Sequence, residues 1–209
     1  LAVARRLEHF VVERAKTARA HLKTMGHPLP IQTLQIEELN EHTPAAAIPS
    51  LLAPLKAGHD VGLLSEAGCP AVADPGAALV MAAHRDNIAV VPLIGPSSIL
   101  LALMASGLGG QHFAFHGYLP AKEPERGQKI RELEIAARRD KATQLFIETP
   151  YRSVALMDAL ATTLSPSTFI SVGADLSLPS QLIQTRSAKH WRGQTDAVKD
   201  RLVVFGIGI

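Results

Sequence analysis

The sequence predicts an α/β protein built as two units, each alternating strands and helices, with a ligand cleft between them. Three observations predict this. The first is the stretch from Gly62 to Pro96, where an apolar run (Val61 to Leu64) breaks at Ser65 into a loop of small residues. A helix from Ala77 to Arg85 follows, and a second apolar run, Ile88 to Leu93, ends at Gly95-Pro96-Ser97-Ser98. That order is the signature of a β-loop-α-β-loop-α unit on a parallel sheet. The second is that the pattern restarts after Gly117-Tyr118-Leu119-Pro120, which reads as a linker. The third is length: 209 residues suit one large α/β domain or two small ones with a sizeable core. The expected division is therefore 1–118 and 119–209. A cleft between two α/β units is a common place for a small ligand.

Composition excludes several classes. Apolar residues make up 47% and charged residues 19%, which separates the chain from disordered proteins. A net charge of +2 is too small to argue for nucleic acid by itself. One cysteine, Cys69, excludes an internal disulfide and suits a reducing, cytoplasmic setting. No uninterrupted apolar run reaches about 18 residues, so no membrane-spanning helix is expected. The chain opens at Leu1 without an initiator Met, as if inside an element, so an upstream segment is expected to be missing.

In order, Leu1 to His9 reads as a truncated helix, Phe10 to Val12 as a strand ending at Glu13, and Thr17 to Met25 as a helix closed by Gly26. Pro28 and Pro30 enforce an extended link into Ile31 to Ile36. A helix opens at Thr43-Pro44 and runs to Lys56. Ser98 to Ser106 is apolar nearly all round, which predicts a buried helix. Phe113 to Phe115 is a brief strand, and Glu125 to Asp140 is the most polar helix. Gln144 to Ile147, Phe169 to Val172, Leu182 to Thr185 and Arg201 to Ile207 read as strands, with a helix from the Glu148-Thr149-Pro150 turn to Leu164.

Ligands of open parallel sheets sit beyond the carboxyl ends of the strands, where small residues let backbone N–H groups come close. The loop from Ser65 to Gly76 is longer than the usual βα connection of about 2–6 residues, which favours a ligand loop over a plain β-α connection. Gly95-Pro96-Ser97-Ser98 can present amides at a helix start or simply cap it. No Gly-Lys-Ser/Thr follows, so it is not a P-loop, and no G-x-G-x-x-G occurs. His112 and His116 could share a face, but no third metal ligand stands near them, and no metal is expected. Cys69 reads as a small loop residue. Lys122, Arg126, Lys129 and Arg131 are interleaved with Glu123, Glu125 and Glu132, as on a solvated helix face.

Four motifs in register carry a resemblance. They are Ser65-Glu66-Ala67-Gly68-Cys69-Pro70 with Asp74-Pro75-Gly76; Pro92-Leu93-Ile94-Gly95-Pro96; Gly117-Tyr118-Leu119-Pro120-Ala121-Lys122; and Phe146-Ile147-Glu148-Thr149-Pro150-Tyr151-Arg152. Together they resemble the tetrapyrrole (corrin/porphyrin) methylase superfamily, in its ribosomal RNA small subunit methyltransferase I branch. The resemblance implies a two-domain α/β fold with S-adenosylmethionine in the cleft between domains, and a homodimer. It implies cofactor contacts at Ser65, Ala67, Gly68, Cys69 and Pro70, at Ser97 and Ser98, at Glu148 and Thr149, at Ala174 and Leu176, and at Arg201 and Leu202. It implies an rRNA acceptor, methylated on a ribose 2′-hydroxyl. Glu13 and Glu66, at strand ends, are the candidate catalytic acids.

The chain departs from the family pattern in places. The family's first strand and its loop are absent. A-E-D-T-R-H reads Val12-Glu13-Arg14-Ala15-Lys16-Thr17, H-D-H-N reads Glu37-Glu38-Leu39-Asn40, and A-R-E-L-T-K reads Gly173-Ala174-Asp175-Leu176-Ser177-Leu178. RNA affinity leans on Lys and Arg contacts to phosphate, so these changes weaken the implication of rRNA and leave that of the cofactor standing. The alternatives are a methylase of a tetrapyrrole or another acceptor, which would need a broad apolar trough, and a non-catalytic cofactor-binding relative.

Overall fold

Phe10, Val11 and Val12 are almost wholly out of solvent, and they explain the first unit. They lie in β1 (His9–Val12), which pairs in parallel with β2 (Gln35–Glu38) on one side and β3 (Val61–Leu64) on the other. Alternate residues of β1 feed two cores. Phe10 and Val12 pack with Leu22 of α1 (Ala15–Thr24) and Leu34. Val11 packs with Leu51 and Leu52, and with Leu79 and Ala83 of α4 (Ala77–Arg85). A parallel strand covered on both faces has no room for polar alternation, which is why β1 is a continuous apolar run. Helix α1 is held at its start by a neighbouring strand: the backbone N–H of Ala15 donates to Glu38 Oε1 at 2.7 Å. A carboxylate at a helix N-terminus satisfies an orphan donor and complements the dipole.

The computed structural model describes residues 1–209, which form two compact units, Leu1–Pro96 and Ser97–Ile209. The second unit is a five-stranded mixed sheet in the order β4-β5-β8-β6-β7. Strand β4 (Phe113–Tyr118) is parallel to β5 (Thr143–Glu148); β8 (Val203–Gly208) is antiparallel to β5 and to β6 (Phe169–Ala174), and β7 (Leu182–Ser187) is antiparallel to β6. One face carries α6 (Glu125–Asp140), α7 (Pro150–Thr163) and the short α8 (Ala188–Trp191) over Phe146, Ile170, Val172 and Phe205. Phe146 and Phe205 are cross-strand partners whose rings stack with centroids 5.8 Å apart. The other face carries α5 (Ser98–Ser106), with Ile99 and Leu103 on Leu145. Glycine makes room there: a Cβ on Gly208 would lie 2.7 Å from Leu108 Cδ2, and one on Gly173 would lie 3.2 Å from the Ala102 methyl.

Five expectations are corrected. The units divide at Pro96/Ser97, not near 118/119, because Ser97 leads into α5, which covers β6 and β8, and Tyr118 ends a strand of that same sheet. The helix expected from Thr43 to Lys56 is a 3-10 turn (Ala45–Ala47) and two single turns, α2 (Ile48–Leu51) and α3 (Ala53–Lys56). Pro49 and Pro54 each start a new turn because proline cannot donate to the previous one. Ile88 to Leu93 forms no strand: the outer edge of β3 carries no partner, and Val91 and Leu93 are 74% and 62% exposed. Helix α5 buries only one face, leaving Met104 80% exposed. Of the expected N-terminal helix, only a 3-10 turn (Ala4–Arg6) forms.

The stacked pair gives a test of the second core. Phe146→Ala should destabilise the fold by about 3–5 kcal/mol, the range for a buried aromatic truncation, read as a lower urea midpoint with unchanged slope.

Candidate cofactor and active site

The carboxyl ends of β1 and β3 lie side by side, with Val12 in register with Leu64. The residues just beyond them, Glu13 and Ser65-Glu66, are therefore neighbours. The backbone N–H of Glu13 donates to the Leu64 carbonyl at 3.3 Å, and that of Glu66 donates to Glu13 Oε2 at 3.2 Å. The half-buried Glu13 carboxylate thus holds the loop by its backbone, at the exposed Glu66.

The loop beyond β3 has an unusual backbone. Gly68 has φ +71°, and Ala71 and Ala73 both have φ +65°, a region alanine enters at a cost of about 1–2 kcal/mol. Gly76, at φ +137°, could not be alanine, since a Cβ there would sit 2.9 Å from Leu63 Cδ2 and 3.3 Å from the Ala71 amide. Around Gly68 a Cβ would meet nothing within 4 Å, so the loop is open at that point. Ser65 Oγ donates to the Ala67 carbonyl at 3.0 Å, and the Cys69 thiol reaches the Pro96 carbonyl at 3.7 Å. Cys69 and Pro70 are half-buried.

Folding adds a third acid. Partial burial, and then the negative charge of Glu13, hold the Asp74 carboxyl above its ordinary value, with the Ser65 hydroxyl pulling the other way. Asp74 also lines a hollow of about 370 Å³ with Leu39, Asn40, Thr43 and Ile48. In the sequence Asp74 stands in Asp-Pro-Gly, a turn signature, and only the return of the loop onto β1 brings it to Glu13.

The second unit gathers the other candidates at one end of its sheet. Val203 is in register with both Glu148 and Ala174, so the ends of β5 and β6 and the start of β8 coincide. Glu148 is buried. Its Oε1 accepts from the Thr149 amide at 2.7 Å and from Arg152 Nε and Nη2 at 2.8 and 2.6 Å, so it caps α7 and fixes Arg152. The Asp175 amide donates to the Leu202 carbonyl at 3.0 Å. Arg201 Nε donates to Asp175 Oδ2 at 2.8 Å, Nη1 to the Ala197 carbonyl at 3.1 Å, and Nη2 to the Ser180 carbonyl. The Arg201 guanidinium holds the Asp175 carboxyl below its usual range. Arg201 is thus committed to bracing a turn, leaving the half-buried Leu176 and the exposed Leu202 as its accessible members. Ser97 precedes and Ser98 begins α5 without a side-chain cap bond. Helix α5 sets Ala102 beside Gly173, and its far end receives Thr185 Oγ1 on the Ser106 carbonyl, so its N-terminus points toward the Ala174 end of the sheet.

A hollow of about 900 Å³ in this unit lies at the opposite pole, among Gly107, Arg138, Lys141, Thr143 and Ile209. It contains none of the expected cofactor residues. His112 and His116 bond to the Asp140 carbonyl and to Gln144 Oε1, and no group of three or more His, Cys, Asp or Glu gathers in metal-binding geometry.

Comparison with known proteins shows the family and the fold. Residues 3–190 match the model of the Tetrapyrrole (Corrin/Porphyrin) Methylases. The chain belongs to that family. Among curated relatives, it is 37% identical over 169 residues to the ribosomal RNA small subunit methyltransferase I of Mesorhizobium japonicum, covering 79% of this chain and 56% of that protein. It is 34% identical over 163 residues to the protein of that name from a Synechocystis species, covering 78% and 54%. The chain thus spans about half the length of these curated relatives. Among solved structures, 99% of the chain superposes on 85% of the methyltransferase CobJ, with a TM-score of 0.64 at 19% identity. It likewise superposes on 86% of cobalt precorrin-4 methyltransferase CbiF, at 0.60 and 14%. The fold is therefore that of the tetrapyrrole methylases.

The acid cluster carries a pH signature. A carboxyl raised in the folded state adds stability that is complete below its unfolded value of 3.8 and is lost as pH rises through the higher folded value. Asp74→Asn should therefore abolish that loss and raise the melting temperature at neutral pH, while matching wild type in strong acid. Melting curves of the two proteins from acid to neutral pH check this.

Proposed function

We propose that this chain is an S-adenosylmethionine-dependent methyltransferase acting on small-subunit ribosomal RNA, at a ribose 2′-hydroxyl. The single observation that carries the reading is the convergence of an open, small-residue loop with Glu13, Glu66 and Asp74 beyond the carboxyl ends of parallel strands, in a chain of this family. The acceptor class follows from the names of the relatives in Mesorhizobium and Synechocystis.

The residues present fit the cofactor. Small side chains from Ser65 to Pro70 leave backbone polar groups within reach of an adenosine or amino-acid moiety, and carboxylates suit a molecule carrying a sulfonium and an ammonium. In the first unit the holding residues would be Ser65, Ala67, Gly68, Cys69 and Pro70. In the second they would be Ser97, Ser98, Glu148, Thr149, Ala174, Leu176, Arg201 and Leu202. Of these, Glu148 and Arg201 contribute by shaping backbone, because their charged atoms are already engaged.

When bound, S-adenosylmethionine supplies an electrophilic methyl group. The protein's part is to orient the acceptor and exclude water. A ribose hydroxyl is a weak acid, so its proton needs a base as the new O–C bond forms. Glu13 is best placed: one oxygen is tied to the loop amide and the other can take the proton. Asp74, held to a higher basicity, is the second choice. The same reading expects a homodimer in the cytoplasm.

Two measurements test this on the full-length protein. Calorimetry should show S-adenosylmethionine binding in the micromolar range, and Gly68→Val, which strains a left-handed position, should weaken it by about tenfold or more. Transfer of labelled methyl to small ribosomal subunits should fall about 100- to 10,000-fold in Glu13→Ala, as for loss of a general base. Unchanged turnover would remove Glu13 from that role, and absent cofactor binding would remove the methyltransferase reading.

A further inference from the structure

The chain has two tyrosines, and both come to one arginine. Tyr118 ends the edge strand β4, where the ladder to β5 shifts register between Phe115 and Tyr118 and Gly117 takes φ +63°. Such a bulge re-aims the side chain that follows it. Tyr151 stands in the first turn of α7, directly after Pro150. Arg152 lies between, its guanidinium carbon 5.9 Å from each ring centroid. It cannot swing away freely, since the buried Glu148 carboxylate holds both its Nε and Nη2. Yet the rings are in solvent: Tyr118 is 54% exposed and Tyr151 80% exposed. Phe146, in the neighbouring strand, is by contrast buried.

Two exposed rings braced by a fixed guanidinium form an aromatic platform. Every nucleobase has a π-face, so such a platform accepts an unpaired base by stacking, with Arg adding a cation–π contribution. Lys122, exposed four residues beyond Tyr118, can meet the adjoining phosphate. We propose that Tyr118, Arg152 and Tyr151 form a stacking platform that holds a single-stranded base of the RNA acceptor. The platform lies beside the Glu148-Thr149 turn, one of the proposed cofactor contacts. This rests on the rRNA reading above and deepens it by naming where the acceptor is gripped and by what chemistry.

The test uses the full-length protein, a fluorescein-labelled single-stranded transcript of small-subunit rRNA, and parallel calorimetry with S-adenosylmethionine. Tyr151→Ala should weaken RNA binding by about 5- to 150-fold, the range for losing one stacked base, and Tyr118→Ala should do the same or less. Tyr151→Trp should restore binding, whereas Tyr151→Leu should not. Cofactor affinity and the slope of log affinity against log salt should stay at wild-type values in these variants, while Lys122→Ala should reduce that slope by about one. Wild-type RNA affinity in both alanine variants would overturn the platform and leave the rRNA reading intact, as would Leu serving as well as Trp. Loss of cofactor binding with RNA binding unchanged would overturn it too, assigning the tyrosines to the cofactor. A wild-type protein that binds the cofactor but no RNA would overturn the rRNA reading itself, and the platform with it.

Discussion

The second unit depends on one strand fitting between two others that run against it. β8 is buried along its whole length and pairs with β5 on one edge and β6 on the other. Its register decides what meets at the sheet's end. Because Val203 opposes both Glu148 and Ala174, the Glu148-Thr149 and Ala174-Asp175 turns lie at the same end of the sheet on either side of β8, and the Asp175 amide reaches the Leu202 carbonyl. A slip of one residue would turn every side chain of β8 to the opposite face. Phe205 would then leave its stack on Phe146, and Gly206 and Gly208 would no longer give Leu108 room. Aromatic packing on one face and glycine on the other therefore fix the position of a turn that touches neither.

The first unit shows the same rule from its failing side. Strands exist only where partners supply hydrogen bonds. β1 has partners on both edges and is buried; β3 has one partner and none of its residues is fully buried; Ile88 to Leu93 has none, forms no strand, and beyond half-buried Ile88 is exposed over Ala89, Val90, Val91 and Leu93. All three runs are apolar, so composition does not separate them.

That difference marks how far the sequence could be read. Punctuation was legible: Gly26 and Gly58 stop their elements with φ of +70° and +89°, and β3 and α4 span the residues that apolar run and small-residue loop delimit. Pairing was not. Whether Ile88 to Leu93 is a strand, whether the second sheet is mixed, and to which unit α5 belongs are long-range facts. The site divides in the same way. Ser65 to Pro70 and the Glu148-Thr149 turn could be found because they are local motifs. Asp74 could not, because its raised carboxyl arises from burial and from Glu13, which stands on a different strand. The start of α1 is likewise explained only in three dimensions: Glu38, which keeps the acid of the family's H-D-H-N, receives the Ala15 amide one residue after the changed Arg14.

Two kinds of charged group result, and their surroundings separate them. Glu148, Asp175 and Glu38 each hold a cation or a backbone N–H, so their charge is spent on building turns and helix starts. Glu13 and Asp74 are instead neighbours of like charge, one raising the other, with only a loop amide and a hydroxyl to offset them. Like charges held together cost folding energy and give the fold nothing in return. Such a cost is met most often where the chemistry requires it, at positions that bind a cation or take a proton. The acids that stabilise the protein and the acids that could act on a substrate are thus told apart by their partners rather than by their residue type.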